Sequence, residues 1–270
     1  MGKKTPRTAI QRLANDTYST PIIYIHMESA MQIKDSVALV TGANRGIGRA
    51  FVEALLEQGA RRIYAAARDL ASLDSVVRLD PERIRGLKLD VTRAEDARAA
   101  AAQAKDLTLL INNAGVLATG GLTDISVDAV RGNMETNFFG LLNVTTAFVP
   151  ALERNKGSIV NILTLLSLAS MPGVAAYNAS KAAGWSLTQS FRADLAKRGI
   201  RVHGVFPGAV DTEMARSFQI PKPPAIDVAR ATLAGVDANE EDIYPDPMSQ
   251  QVYAAWRADH KAVERQFAAM

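Results

Sequence analysis

The chain has no cysteine among its 270 residues. That excludes disulfides, thiolate metal sites and cysteine nucleophiles. Histidine is nearly as scarce. His26, His203 and His260 lie far apart, so a histidine-rich metal site is not expected. No window holds the ~18 uncharged apolar residues that a membrane span needs. The N-terminus opens basic with Lys3 and Lys4, but no apolar stretch of signal-peptide length follows, and a cytoplasmic protein without membrane partners is expected. Aromatic residues make up only 6%, net charge is +3, and no dense basic cluster is interleaved with aromatics. Nucleic acid is therefore not the expected partner.

What is present is an ordinary soluble composition, 48% hydrophobic and 22% charged, on a chain long enough to bury one large core. Residues 1–32 carry Lys3, Lys4, Arg7 and Arg12 with little periodicity and read as a loosely ordered extension. Residues 33–270 read as a single domain. Short apolar runs at 37–40, 63–67, 86–91, 107–113, 157–163 and 200–206 read as strands. Helical patterns at 47–55, 94–104, 127–152, 175–196, 226–234 and from 249 onward alternate with them, with a helical or irregular piece at 70–78. Strands apolar on both faces that alternate with helices predict a parallel sheet covered on both sides.

Gly42, Gly46 and Gly48 follow the first strand and open the first helix. Glycine there lets backbone approach a pyrophosphate, and the helix N-terminus offers N–H donors. Gly42, Asn44, Arg45, Gly46, Ile47 and Gly48 are thus candidates for holding a dinucleotide. At the end of the second strand, where an NAD enzyme of this architecture carries an acid for the ribose 2′-hydroxyl, stand Ala67 and Arg68. A guanidinium there pairs with a 2′-phosphate, and Arg45 could help. That favours NADP(H) over NAD(H), although Asp69 could serve an unphosphorylated ribose.

Asn112-Asn113-Ala114-Gly115 ends the fourth strand, Asp90 the third, and Pro207-Gly208-Ala209-Val210-Asp211-Thr212 follows the sixth. In such a sheet these ends share the carboxyl edge, where ligands bind. Tyr177 and Lys181 stand four apart, hence on one helix face. A phenol titrates near pH ~10. A neighbouring ammonium is expected to lower that value and make the pair a proton donor and acceptor.

In order and spacing, Thr41 to Gly48, Asn112 to Gly115, Tyr177 with Lys181, and Pro207-Gly208 resemble the short-chain dehydrogenase/reductase family. The resemblance runs from about Ser36 to Thr212. It implies a Rossmann-like α/β fold, doubly wound on about seven parallel strands, and a nicotinamide cofactor. It implies Tyr177 as catalytic acid/base, with Lys181 lowering its pKa and holding the nicotinamide ribose. Asn137 matches the family asparagine of the proton relay. Asp90 and Val91 would flank the adenine, Asn113, Ala114 and Gly115 would lie near the cofactor, and Val210 and Thr212 near the carboxamide. The family commonly forms dimers and tetramers through the helices at 127–152 and 175–197. The family's substrate-orienting serine stands 13 residues before the tyrosine, and here that position is Thr164. Threonine keeps the hydroxyl but adds a methyl and stiffens χ1. Ser167 is a nearby alternative.

The expected reaction is hydride transfer between the cofactor and a carbonyl or secondary alcohol. Leu165, Leu166, Leu168, Met171, Pro172, Val116, Met214 and Phe218 suggest an apolar substrate, unless they pack the core or a subunit contact. The alternative from another class is a nucleotide sensor or scaffold with a vestigial site, which has no use for an intact Tyr177, Lys181 and Asn137.

Overall fold

The computed structural model describes residues 32–270. The extension expected at residues 1–32 lies almost wholly outside the described residues. Seven parallel strands form one sheet in the order β3-β2-β1-β4-β5-β6-β7. They are β1 (Val37–Thr41), β2 (Arg62–Ala67), β3 (Ile84–Lys88), β4 (Leu109–Asn112), β5 (Ser158–Ile162), β6 (Arg201–Val205) and β7 (Asp242–Ile243). The order reverses between β1 and β4, which pair from Ala38↔Leu109 to Val40↔Ile111. Such a reversal point, at the carboxyl ends of the strands, is where sheets of this kind bind ligands.

The sheet is apolar on both faces because helices cover both. Ala38 and Val40 of β1 face one core, with Phe51 and Leu55 of α1 (Gly46–Glu57) and Leu233 and Val236 of α7 (Ala225–Asp237). Val37 and Leu39 face the other. There they meet α3 (Ala94–Gln103), α5 (Gly140–Arg154) and α6 (Ala175–Leu195). This alternation is the two-residue period of a strand buried on both sides. Between β2 and β3 a 3₁₀ turn at Ala71–Leu73 leads into the short α2 (Asp74–Val77).

Four elements differ from the sequence reading. The third strand begins at Ile84, and Asp90 lies past its end, where its carboxylate accepts from Thr92 N at 3.0 Å and Thr92 Oγ1 at 2.7 Å. The helix expected at 127–152 is α4 (Val127–Met134) joined to α5 by a π-helical turn, Glu135–Phe139. Between the helical patterns at 226–234 and from 249 onward, where no strand is expected, lies β7, pinned by Arg192 of α6, which donates to Asp242 Oδ1 and to the carbonyl of Glu241. The C-terminal helix begins at Pro247 and breaks at Asp259, giving α8 (Pro247–Ala258) and α9 (His260–Ala268). Asp259 is extended and caps the second helix through Ala262 N.

His203 of β6 is 2% exposed. Its Nδ1 donates to the carbonyl of Glu240 at 2.6 Å, leaving Nε2 unprotonated and enclosed. Burial is the largest cause that holds its pKa below the ordinary value, and Arg192 and Arg201 add to it. The unfolded chain therefore binds the extra proton more readily, and stability declines as pH falls below about 6.5. Unfolding measured across that range should show a shallower decline in His203→Leu. Parallel curves would rule His203 out as the cause.

Candidate active site

The glycine loop is shaped by contacts that no side chain could share. Gly42 and Gly46 have φ of 65° and 54°. A Cβ on Gly48 would lie 2.1 Å from Gly42 O and 2.6 Å from Asn113 Nδ2. The helix it opens, α1, has no side-chain cap and no acidic residue in its first turn. Its N–H groups and positive dipole end are thus left to a ligand. This cradle fits a pyrophosphate. Ile47 packs partly on the core and Asn44 is half-buried in the loop.

The loop is tied to β4 by two side chains. Thr41 Oγ1 accepts from Asn113 N and Ala114 N, both at 3.0 Å. Asn113 Nδ2 donates to Thr41 O at 2.9 Å and Gly42 O at 3.4 Å. Asn113 therefore acts on the loop's backbone. Next to it, Asn112 Nδ2 donates to Thr145 Oγ1 and Asn161 Oδ1 at 3.0 and 2.9 Å, and Asn161 passes the chain on to Thr188.

Asn137 sits in the π-helical turn, 3% exposed. Such turns recur at functional sites because the extra residue re-aims a side chain. Here the carboxamide clamps Val116, accepting from its N and donating to its O, both at 2.9 Å. It also donates to Ser180 Oγ at 2.9 Å, and Ser180 in turn donates to Tyr177 O at 2.8 Å. A Cβ on Gly115 would meet Asn137 Oδ1 at 3.2 Å and Lys181 Nζ at 3.6 Å. So the strand-end loop, the π turn and α6 meet at one point.

Lys181 is 6% exposed and donates from Nζ to the carbonyl of Ile162, at the end of β5, at 2.8 Å. Nζ lies 5.7 Å from the centre of the Tyr177 ring. Asn137, Lys181, Asn112 and Thr136 line one small cavity of about 10 Å³, room for a single water. The expected lowering of the Tyr177 pKa does not appear in this geometry. Tyr177 keeps some surface exposed, yet enough protein encloses its phenol to push it up to about 12. Lys181 Nζ donates to a carbonyl, and burial of the phenol is the cause of the rise. Burial also brings Lys181 down to about 8.

Thr164 lies two residues past β5, 8% exposed, and caps the following 3₁₀ turn, its Oγ1 accepting from Leu166 N at 3.3 Å. Ser167, the alternative, lies inside the 3₁₀ turn Leu165–Ser167 with its hydroxyl enclosed. Leu165 is turned away from the sheet edge. It packs with Ala169, Val263 and Phe267, and Leu166, Leu168 and Met171 lean on that cluster. These four therefore seat the C-terminal helices. Met214, 46% exposed, and the half-buried Val116 and Phe218 remain as apolar surface beside the strand ends.

Arg45 forms an exposed ion pair with Glu213 at 2.7 Å, linking the glycine loop to the segment after β6. Thr212 Cγ2 comes within 3.5 Å of a Cβ placed on Gly46. Val210 is 4% exposed. Val91 packs on α5, where a Cβ on Gly140 would meet its Cγ2 at 2.7 Å. Arg68 is exposed at the end of β2 with no ion pair among the described residues, while Asp69 Oδ1 accepts from Ala71 N at 3.1 Å. No cluster of potential metal ligands occurs among the described residues. No helix of these is long and apolar enough to cross a membrane. Sequence reasoning missed Ser180, Glu213 and Asp246. Only Asp246 left a signal, an Asp-Pro-x-Ser pattern at a helix start.

Residues 36–222 match the family model described as short chain dehydrogenase. The chain belongs to the short-chain dehydrogenase family and is accordingly a nicotinamide-dependent oxidoreductase. An uncharacterized oxidoreductase of Myxococcus xanthus is 35% identical over 194 residues, 69% of this chain and 76% of that one. One of Staphylococcus saprophyticus is 30% identical over 80% of this chain and 99% of its own. A Burkholderia cenocepacia short chain dehydrogenase solved with NADP is 40% identical, with a TM-score of 0.83 over 88% of this chain and 99% of that one. A Burkholderia phymatum enzyme solved with NAD is 26% identical, with a TM-score of 0.77 over 87% and 96%.

The buried ammonium has a measurable consequence. Lys181 titrates near 10.5 when unfolded and near 8 in the fold. Between those values the unfolded chain holds the extra proton, so the fold gains stability as pH rises, by up to about 3 kcal/mol. Relative to Lys181→Met, the wild type should therefore gain stability between pH 8 and 10.5 in denaturant titrations. A constant gap would contradict the burial of the charge.

Proposed function

We propose that the protein transfers a hydride between NADP(H) and an apolar ketone, aldehyde or secondary alcohol, with Tyr177 as acid/base. The observation that carries this reading is the convergence of Asn137, Lys181 and Tyr177 on the sheet edge that also bears the glycine loop.

Gly42, Asn44, Arg45, Gly46, Ile47 and Gly48 would hold the pyrophosphate, and Asp90 and Val91 the adenine. Asn113, Ala114, Gly115, Pro207, Gly208, Val210 and Thr212 would border the nicotinamide half. When bound, the nicotinamide supplies or accepts the hydride. In reduction Tyr177 gives its proton to the carbonyl oxygen as that oxygen gains charge, and Thr164 donates a hydrogen bond to the same oxygen. A phenol held near 12 arrives protonated and ready to give. The phenolate left behind is stabilised by Lys181, which at pH 7 remains an ammonium because its pKa stays near 8. A proton regained from solvent completes the cycle, and Asn137 holds the helix and loop between which it passes. In oxidation the same steps run in reverse.

Arg68 supports NADP(H), since its guanidinium has no ion pair among the described residues and Asp69 is engaged with its own turn. The relative from Burkholderia cenocepacia that holds NADP supports it too. Self-association as a homodimer or homotetramer, through α4–α5 and α6, accounts for the 42% exposure of Phe139.

Tyr177→Phe should lose on the order of 10²–10⁴ in kcat while NADPH still binds. Activity near that of the wild type would remove Tyr177 from the mechanism. Arg68→Asp should raise the KM for NADPH by roughly 10–100-fold and leave that for NADH little changed, the loss expected for one charge-assisted contact. An unchanged KM ratio would place the 2′-phosphate elsewhere.

A further inference from the structure

The peptide joining Pro207 to Gly208 is held at both of its polar atoms. Its carbonyl accepts from Leu165 N, the residue after Thr164, at 3.1 Å. Its N–H donates to Asp246 Oδ2 at 2.9 Å. Asp246 is 2% exposed. Its other oxygen accepts from Ser249 N at 2.9 Å, and Ser249 Oγ accepts from Asp246 N at 3.1 Å, a capping box with Pro247 in the first turn of α8. A Cβ on Gly208 would lie 2.9 Å from Met248 Sδ and 3.2 Å from Asp246 Oδ1. A side chain at 208 would therefore press on Met248 and Asp246 of this cap, independently of any cofactor.

We propose that Asp246 is a positioning residue for the nicotinamide end of the site. Its carboxylate fixes the plane of the Pro207–Gly208 peptide and, through the bond from Leu165 N, the backbone that carries Thr164. A helix cap needs only one acceptor, and serine supplies it as well as aspartate does. The second oxygen is spent on Gly208, a buried charge-assisted bond across 38 residues. Leu165 contributes twice. Its N–H holds the peptide, and its side chain packs on Val263 and Phe267 of α9. The C-terminal helices thus grip both segments that flank the reacting atoms. This role rests on the cofactor reading given above.

The test compares full-length Asp246→Ser, which keeps a cap but cannot span to Gly208, with Ser249→Ala, which weakens the cap and keeps the carboxylate. Binding of NADPH and of adenosine 2′,5′-bisphosphate, which lacks the nicotinamide half, is measured by calorimetry beside the thermal midpoint. Asp246→Ser should lose about tenfold in NADPH affinity and none for the bisphosphate, the size of one lost charge-assisted bond. Ser249→Ala should lower the midpoint and leave both affinities unchanged. Equal loss of both ligands in Asp246→Ser, loss of neither, or loss of NADPH affinity in Ser249→Ala would overturn the proposal. Should Asp246→Ser fail to fold, Asp246→Asn, which keeps the size and one acceptor for the cap but loses the second acceptor for Gly208 N, must give the same split between the two ligands or the proposal falls. A wild type that binds neither ligand would overturn the cofactor reading itself.

Discussion

Everything at the candidate site depends on the lock between the ends of β1 and β4. A parallel sheet whose order reverses must let these two chains part, and the parting makes the crevice. Left alone, the ends would expose unpaired N–H and C=O groups in a half-buried place, which is costly. Thr41 and Asn113 satisfy them. One hydroxyl takes two backbone N–H groups, and one carboxamide takes the carbonyls of Thr41 and Gly42. The same bonds draw Gly42 against Gly48 so tightly that no Cβ fits. The glycine loop on one side and the Gly115–Asn137–Lys181 contact on the other are thus set by a single joint.

Around that joint the molecule keeps charge and polarity where burial disfavours them. Lys181 is enclosed with one carbonyl as its partner, and its ammonium is held at a cost in stability. Asn137 is buried too, but each arm of its carboxamide is used. The π-helical turn is the local irregularity that lets it reach Val116 and Ser180 together. Tyr177 is left with a phenol harder to ionise than a free one, which suits a proton donor better than a standing base.

The sheet, its covering helices and the glycine loop could be read from the chain because apolar periodicity and glycine placement are local properties. So could Tyr177 with Lys181, since four residues on a helix fix a face. The π turn was not legible: nothing at Glu135–Phe139 distinguishes it from regular helix, and it arises from packing against Val116 and α6. β7 was hidden because two residues, Asp242 and Ile243, make too short a pattern. The leucines after Thr164 were ambiguous between pocket and core. Only the position of α9, fixed by long-range contact with Val263 and Phe267, assigns Leu165 to the core. The sign of the Tyr177 shift depended on how far the protein encloses the phenol, which spacing alone does not give.

Asp246 shows why the C-terminal helices belong to the account of the site although the family model ends at residue 222. They bring a carboxylate to a peptide whose other end steadies the Thr164 backbone. The central claim is that this assembled edge carries out hydride transfer rather than only holding a nucleotide. Its most direct test is to incubate the protein with NADPH carrying deuterium at both C4 positions and a panel of apolar ketones and aldehydes, and to locate the label by mass spectrometry. Hydride transfer puts deuterium on the carbinol carbon of at least one product. Tight NADPH binding with no labelled alcohol from any member of the panel would contradict it.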